Sequence, residues 1–404
     1  VRVGLLGGFG TGNTGNDATA RAFATHLAGR HDVVLLTYAG TPDQVPGLEG
    51  LPVVTLGPDD DVPLSGGRVR RALRRGTSAW RRLHKARRTA RGLDVLVVAG
   101  GGAFEAEATA GVGPVGALSL LTLARAASTG GRRFLAVAVG GTPMPPGWGR
   151  RTFVRAMRRA EYRSFRDLAS RSALVRMLGA WPDDPVSTDV VLAAAPADTP
   201  APPAPVAGRP PLVALGVMRF AWLGPGAHTE LSRTPYVQAL ADVVVRRVGA
   251  GDRVALLGGD VADLAVLDAV AEEAGHRLGT AEAARSLERW GTPGFDEAVR
   301  RLAACDVVVA SRFHNVVAAF VAGTPVVAVA DRVKVRTLMM DAGLAGLVLD
   351  AGDVTAGEVD KLLDDVADRS REVRAAVTAT ARRLGEVARA QLTELDRLLD
   401  ATER

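Results

Sequence analysis

The chain has 404 residues and a formal net charge of +6; 47% of residues are hydrophobic and 23% charged. That balance excludes global disorder and accommodates two packed domains of about 150–200 residues each. Aromatics make up only 4% and there is a single cysteine, Cys305, so the core is built from Val, Leu and Ala, while an internal disulfide and a cysteine-based metal site are excluded. Cys305 reads as a small buried hydrophobe just before a strand.

Residues 1–7 are an apolar run ending in glycine, which predicts a buried strand. The sequence opens directly on this strand and not on a signal peptide, and no apolar run reaches the roughly 20 residues of a membrane span, so a cytoplasmic protein is expected. Residues 8–16 form a glycine-rich turn, 17–27 a helix and 32–38 a second strand. This strand–turn–helix–strand unit opens a doubly wound domain. The turn is richer in Gly and Asn than a dinucleotide fingerprint, and the second strand ends Thr37-Tyr38 with no acid to hold a ribose. Asn16 or Asp17 is expected to cap the helix.

Residues 68–91 carry positive charges only, with Val69, Leu73, Trp80 and Leu83 between them. The pattern suits a pair of basic amphipathic helices at an anionic membrane or near a polyanion, or else the solvated face of a connecting helix. Nucleic acid is not the expected partner, because no zinc, RRM or OB signature is present and aromatics are scarce.

Residues 94–99 are a buried strand running into Gly100, Gly101 and Gly102, where the backbone either meets a ligand or turns tightly into a helix. A strand over 134–139 ends in Gly140 and Gly141; a short strand at 163–165 and a helix over 168–178 follow. The Pro/Ala-rich run 193–211 predicts a linker, since proline blocks both helix and central strand.

The second half repeats the grammar. A strand at 212–217 leads to Met218 and Arg219, a helix spans 234–248, and a strand at 253–257 ends in Gly258 and Gly259. A helix over 295–304 precedes a strand at 306–310, which runs into Ser311, Arg312, Phe313, His314 and Asn315. A helix at 316–322, a strand at 325–329, the basic residues Arg332, Lys334 and Arg336, and a helical stretch from 355 onward complete the chain. Arg312 offers a planar fork for carboxylate or phosphate, and His314 a proton near neutral pH. Arg219, at another strand end, reads as an anion contact. The basic residues after 325–329 either clamp an anion or are solvated. The fold class is therefore α/β: two Rossmann-like domains facing a cleft, GT-B-like. The domains are residues 1–192, a linker at 193–211, residues 212–375 and a C-terminal helix at 376–404.

In this order the motifs resemble the polysaccharide pyruvyl transferase family. Its G-N-x-G-D-E turn appears here as Gly12, Asn13, Thr14, Gly15, Asn16 and Asp17, and its glycine triplet as Gly100, Gly101 and Gly102. R-D-x-x-S is Arg166, Asp167 and Ser170, and a short strand ends in Arg219. The most specific match is S-R-x-H, a helix, G-x-P, a strand and K-V: residues 311–314, Gly323 with Pro325, and Lys334 with Val335. Asn16 stands where the family has Asp, and a tyrosine before the K-V pair is replaced within Asp331, Arg332 and Val333. The resemblance covers roughly residues 1–350.

It implies transfer of the pyruvyl unit of phosphoenolpyruvate onto two hydroxyls of one sugar as a ketal, with release of phosphate and no cofactor or metal. It implies a donor side on the C-terminal domain, with Arg219, Arg312, Phe313 and Lys334 binding phosphoenolpyruvate and His314 as general acid or phosphate ligand. The acceptor side falls on the N-terminal domain, with Asn13, Asp17, Gly101 and Gly102. The partner is a sugar or glycan, free or lipid-linked. A nucleotide-sugar glycosyltransferase of the same architecture is the alternative, and a strand-end Glu able to hold a ribose would favour it. A non-catalytic dinucleotide-binding module is the third reading.

Overall fold

A computed structural model describes residues 1–38, 47–57, 68–101, 106–179, 183–194, 209–224, 228–331 and 333–402. The chain divides into two compact units. The first comprises Val1–Thr11, Asn16–Ala194 and Gly385–Arg404; the second comprises Gly12–Gly15 and Ala195–Leu384. Most of the expected linker, residues 195–208, lies outside the described residues.

The first unit contains strands β1 (Arg2–Gly7), β2 (Asp32–Thr37), β3 (Val53–Thr55), β4 (Val95–Ala99), β5 (Arg133–Val139) and β6 (Tyr162–Phe165). Its helices are α1 (Thr14–Ala28), α2 (Arg68–Arg91), α3 (Ala106–Ala127), α4 (Trp148–Met157) and α5 (Leu168–Leu178). The strands form one sheet in the order β3-β2-β1-β4-β5-β6, and each pairing is parallel. Side chains alternate between the faces of a strand. Val3 and Leu5 of β1 accordingly join one apolar cluster and Leu6 the other. The first cluster also takes Phe23, Ala24 and Leu27 of α1 and Leu392, Leu395, Leu398 and Leu399 from the end of the chain.

The second unit contains β7 (Leu212–Gly216), β8 (Arg253–Leu257), β9 (Leu287–Gly291), β10 (Val307–Ala310), β11 (Val326–Val329) and β12 (Val348–Leu349). Its helices are α6 (His228–Leu231), α7 (Pro235–Gly249), α8 (Leu264–Leu278), α9 (Thr280–Ser286), α10 (Phe295–Leu302), α11 (Phe313–Ala322), α12 (Val333–Asp341) and α13 (Ala356–Asp368). Helix α7 starts at Thr234, whose hydroxyl accepts from Val237 N, with Pro235 in the first turn, where its missing N–H costs nothing. Helix α11 ends at Gly323, which takes the left-handed conformation that stops a helix (φ 68°). The last helix, α14 (Ser370–Asp400), belongs to the second unit up to Leu384 and to the first from Gly385.

The second sheet runs β12-β11-β10-β7-β8-β9. Counted from its own first strand, this is the order of the first sheet. Both are doubly wound parallel sheets whose order reverses beside the first strand, between β1 and β4 and between β7 and β10. In each sheet taken by itself, the crevice beyond the carboxyl ends of its switch-point pair is where such sheets bind ligands.

Three local expectations are corrected. The basic stretch is one helix, α2, and not a pair; Gly76 costs about 1 kcal/mol inside a helix and does not break it. Helix α1 begins at Thr14, so Asn16 and Asp17 lie within its first turn and do not cap it. Helix α13 ends at Asp368, and α14 then runs unbroken from Ser370 to Asp400, so residues 376–404 are not a separate helix.

Candidate functional site

In the second unit, three strand ends converge on one carboxylate. Asp263 closes a short 3-10 turn (Val261–Asp263) after β8 and is fully buried. Its Oδ1 accepts from Arg219 N (2.8 Å) and Arg312 Nη2 (2.7 Å), and its Oδ2 from Gly259 N (3.0 Å) and Arg312 Nε (2.8 Å). A buried carboxylate is costly unless paired and hydrogen-bonded. Four donors meet that need and tie the ends of β7, β8 and β10 together. Asp260 also approaches Arg312 Nη2, at 3.7 Å. Arg312 is therefore a guanidinium held flat against Asp263.

Beneath it, Tyr236 O–H bonds Ser311 Oγ (2.9 Å) and accepts from Met218 N (3.2 Å). Burial pushes this phenol above its usual range, with the bonds to Ser311 and Met218 opposing, so it stays neutral.

Arg312 is the N-cap residue of α11, so Phe313 and His314 stand in the first turn of the helix. The Phe313 and His314 rings meet edge to face, with centroids 5.2 Å apart. Lys334 Nζ lies 5.5 Å from the centre of the Phe313 ring, over its face. The guanidinium of Arg219 donates to Gly224 O (2.9 Å).

The segment Gly12–Gly15 belongs to this unit. Val261 N donates to Gly12 O, Thr14 N and Oγ1 both donate to Gly259 O at 3.1 Å, and Asn13 Nδ2 donates to Asp260 Oδ2 at 2.9 Å. Asn13, grouped from the sequence with the N-terminal domain, therefore stands in the second unit. Gly15 lies against the His314 ring.

At the edge of the first sheet, Asp17 Oδ1 accepts from Gly10 N (2.8 Å) and so ties the glycine turn to α1. Gly100 and Gly101 both have positive φ, and Gly101 O accepts from Gly140 N (2.9 Å). Arg166 is buried, 3.5 Å from Asp167 and Asp189. Asp167 caps α5 through Ser170 N (2.6 Å), and Ser170 Oγ accepts from Gly141 N (3.1 Å). The R-D-x-x-S motif thus fastens the loop after β5 to α5.

Arg219, Arg312, Phe313, His314, Lys334 and Asn13 all lie in the second unit, and Asp17 and Gly101 in the first. Gly102 and Arg332 lie outside the described residues. Sequence reasoning missed Asp263, Asp260 and Tyr236; the only signal was a pair of acids just after Gly258 and Gly259. Among the described residues, no group of three or more His, Cys, Asp or Glu is placed to hold a metal, and no helix is long and apolar enough to cross a membrane.

Two doubly wound sheets, each in its own unit, define a two-domain α/β fold of the GT-B type. A glycosyltransferase from Rickettsia africae aligns with TM-score 0.58 at 10% identity, covering 98% of each chain. UDP-GlcNAc 2-epimerase from Methanocaldococcus jannaschii aligns with TM-score 0.56 at 10% identity, covering 90% of this chain and 92% of its own. A UGT transferase from Siraitia grosvenorii, in complex with UDP, gives TM-score 0.54 at 13% identity over 100% of both chains. Likeness at such low identity establishes the fold alone. The particular identity comes from the sequence: the model of the polysaccharide pyruvyl transferase family matches residues 13–331, most of the chain. The chain belongs to that family and is a transferase. Among curated proteins, none matches it significantly.

Proposed function

We propose that the chain transfers the pyruvyl unit of phosphoenolpyruvate to a pair of hydroxyls on one sugar of a glycan, forming a ketal and releasing phosphate. The observation that carries this reading is the segment 311–314. It lies inside the matched span and sets a guanidinium and an imidazole at the switch point of the second sheet.

In the proposed chemistry His314 delivers a proton to the methylene carbon of the donor, leaving positive charge on the adjacent carbon. One sugar hydroxyl attacks that carbon and the phosphate departs. The second hydroxyl then closes the ketal. Of the two hydroxyl protons, one replaces the proton given to the methyl group and the other leaves with phosphate. Arg312, with its plane fixed by Asp263, receives the donor's carboxylate or phosphate; Arg219 and Lys334 supply further positive charge, and Phe313 holds Lys334 in place. Asp17, Gly101 and Gly102 serve the acceptor side. Asn13, held in the second unit by its bond to Asp260, also serves the acceptor in this reading.

The test is incubation with phosphoenolpyruvate, UDP-sugars and candidate glycans while following phosphate and UDP. Phosphate release that needs both phosphoenolpyruvate and a glycan, and that His314→Ala abolishes, supports the reading. UDP release instead supports a nucleotide-sugar transferase.

We also propose that α2 brings the enzyme to an anionic membrane carrying a lipid-linked acceptor. Its buried stripe includes Ala86 and Ala90, while Arg81, Lys85, Arg87, Arg88 and Arg91 are exposed. Trp80 is exposed on the same helix and stacks on His84. No acid interrupts this face. A one-signed helix with an interfacial aromatic suits a surface of acidic headgroups.

A further inference from the structure

The turn that follows β7 carries a feature the proposed chemistry does not use. Phe220 is buried, but Trp222, two residues on, is 48% exposed. Their rings are stacked, with centroids 5.3 Å apart and planes 14° from parallel. The Tyr236 ring stands nearly perpendicular to both, its centroid 5.2 Å from that of Phe220 and 6.1 Å from that of Trp222. One face of the indole is thus covered by a buried ring, and its exposure belongs to the remaining surface.

Hydrogen bonds brace the platform. The short 3-10 turn Ala221–Leu223 carries it, Arg219 Nη2 closes that turn by donating to Gly224 O, and Tyr236 bonds to Ser311, the residue before Arg312. Trp222 is therefore fixed to the strand edge that holds Arg219 and Arg312. Among the described residues Trp80, Trp148 and Trp222 are the exposed tryptophans, and Trp222 is the one that follows β7 and Arg219.

We propose that Trp222 is the stacking platform for a pyranose ring of the glycan acceptor. A pyranose presents a flat patch of C–H groups on one face, and those hydrogens are attracted to the electron-rich face of an indole. The contact is apolar in the middle, leaves the hydroxyls at the rim free to react, and costs little ordering because the ring is already immobilised. The inference rests on the reading of the chain as a glycan-modifying transferase and names the residue that grips the sugar.

Saturation-transfer NMR tests it, with methyl hexopyranosides of gluco, galacto and manno configuration as probes and no phosphoenolpyruvate present. Wild-type protein transfers saturation to the ring C–H protons of at least one probe. Trp222→Phe retains the effect, and Trp222→Ala weakens binding roughly tenfold or more. Equal saturation with Trp222→Ala, or none of any probe with the wild-type protein, overturns the proposal. Phosphate release from phosphoenolpyruvate, measured in parallel, reads the pyruvyl-transfer reaction separately. Sugar saturation that depends on Trp222 without phosphate release sinks that reading and leaves the platform standing.

Discussion

Gly15 lies directly under the imidazole of His314. A Cβ at position 15 would fall far inside 3.0 Å of the ring. The second glycine of the Asn-Gly turn is thus required by the space that the histidine ring occupies. Gly15→Ala is expected to keep both units folded while displacing His314. A misplacement of about 1 Å costs roughly a hundredfold in rate, so kcat should fall by about that factor with little change in melting temperature. Wild-type kcat in Gly15→Ala would remove His314 from the proposed chemistry.

Asp263 offers a second test. Removing one partner of a buried ion pair costs about 3–5 kcal/mol, so Asp263→Ala should lower the urea midpoint sharply. Asp263→Asn keeps the shape but not the charge, and is expected to raise the KM for phosphoenolpyruvate because the plane of Arg312 is no longer fixed. A stable Asp263→Ala protein with unchanged KM would show that the pair neither holds the strand ends together nor orients the arginine.

The end of α14 should matter to the first unit. Leu395 is fully buried in a cluster with Val3, Leu5 and Leu27, and Arg133 donates to Leu398 O and Thr402 Oγ1. Leu395→Ala is expected to cost about 2–5 kcal/mol, read as an earlier thermal transition. No shift would mean the helix does not contribute to that core.

Cys305 should be inert. Burial pushes its thiol up to about 12, so at pH 8 only about one molecule in ten thousand carries a reactive thiolate. An aromatic disulfide reagent is expected to label it in urea and not in the native state. Rapid native labelling would contradict the burial.

The exposed face of α2 is tested by cosedimentation with phosphatidylglycerol vesicles. Binding is expected at low salt and should be lost at high salt, because the Debye length shrinks from about 10 Å at 0.1 M to about 3 Å at 1 M. Replacing Arg81, Lys85 and Arg88 with Gln should abolish it. Absence of binding at low salt would leave α2 a solvated face.

Much of each sheet was legible because its central strands are buried on both faces. The cores of β1, β4, β7 and β10 are unbroken apolar runs that end in glycine or at Ser311 and Arg312. Strand β9 carried no such signal. It is an edge strand, and its Glu288 and Arg289 pair with Arg253 and Asp268; charged edges are how sheets discourage further pairing. Asp263 was illegible for a different reason. In sequence it resembles any surface acid, and only the convergence of three strand ends buries it. Proximity along the chain groups Asn13 with Asp17, whereas its amide is held by Asp260, far away in sequence.

The proposed reaction leaves a pyruvyl ketal on the sugar. The most direct measurement is NMR of the product after incubation with phosphoenolpyruvate labelled with carbon-13 at its central carbon and a glycan acceptor. A new quaternary ketal carbon covalently attached to the sugar is expected, formed in step with phosphate and absent with His314→Ala. Labelled carbon that remains in phosphoenolpyruvate or appears only as free pyruvate, with every acceptor supplied, would contradict it.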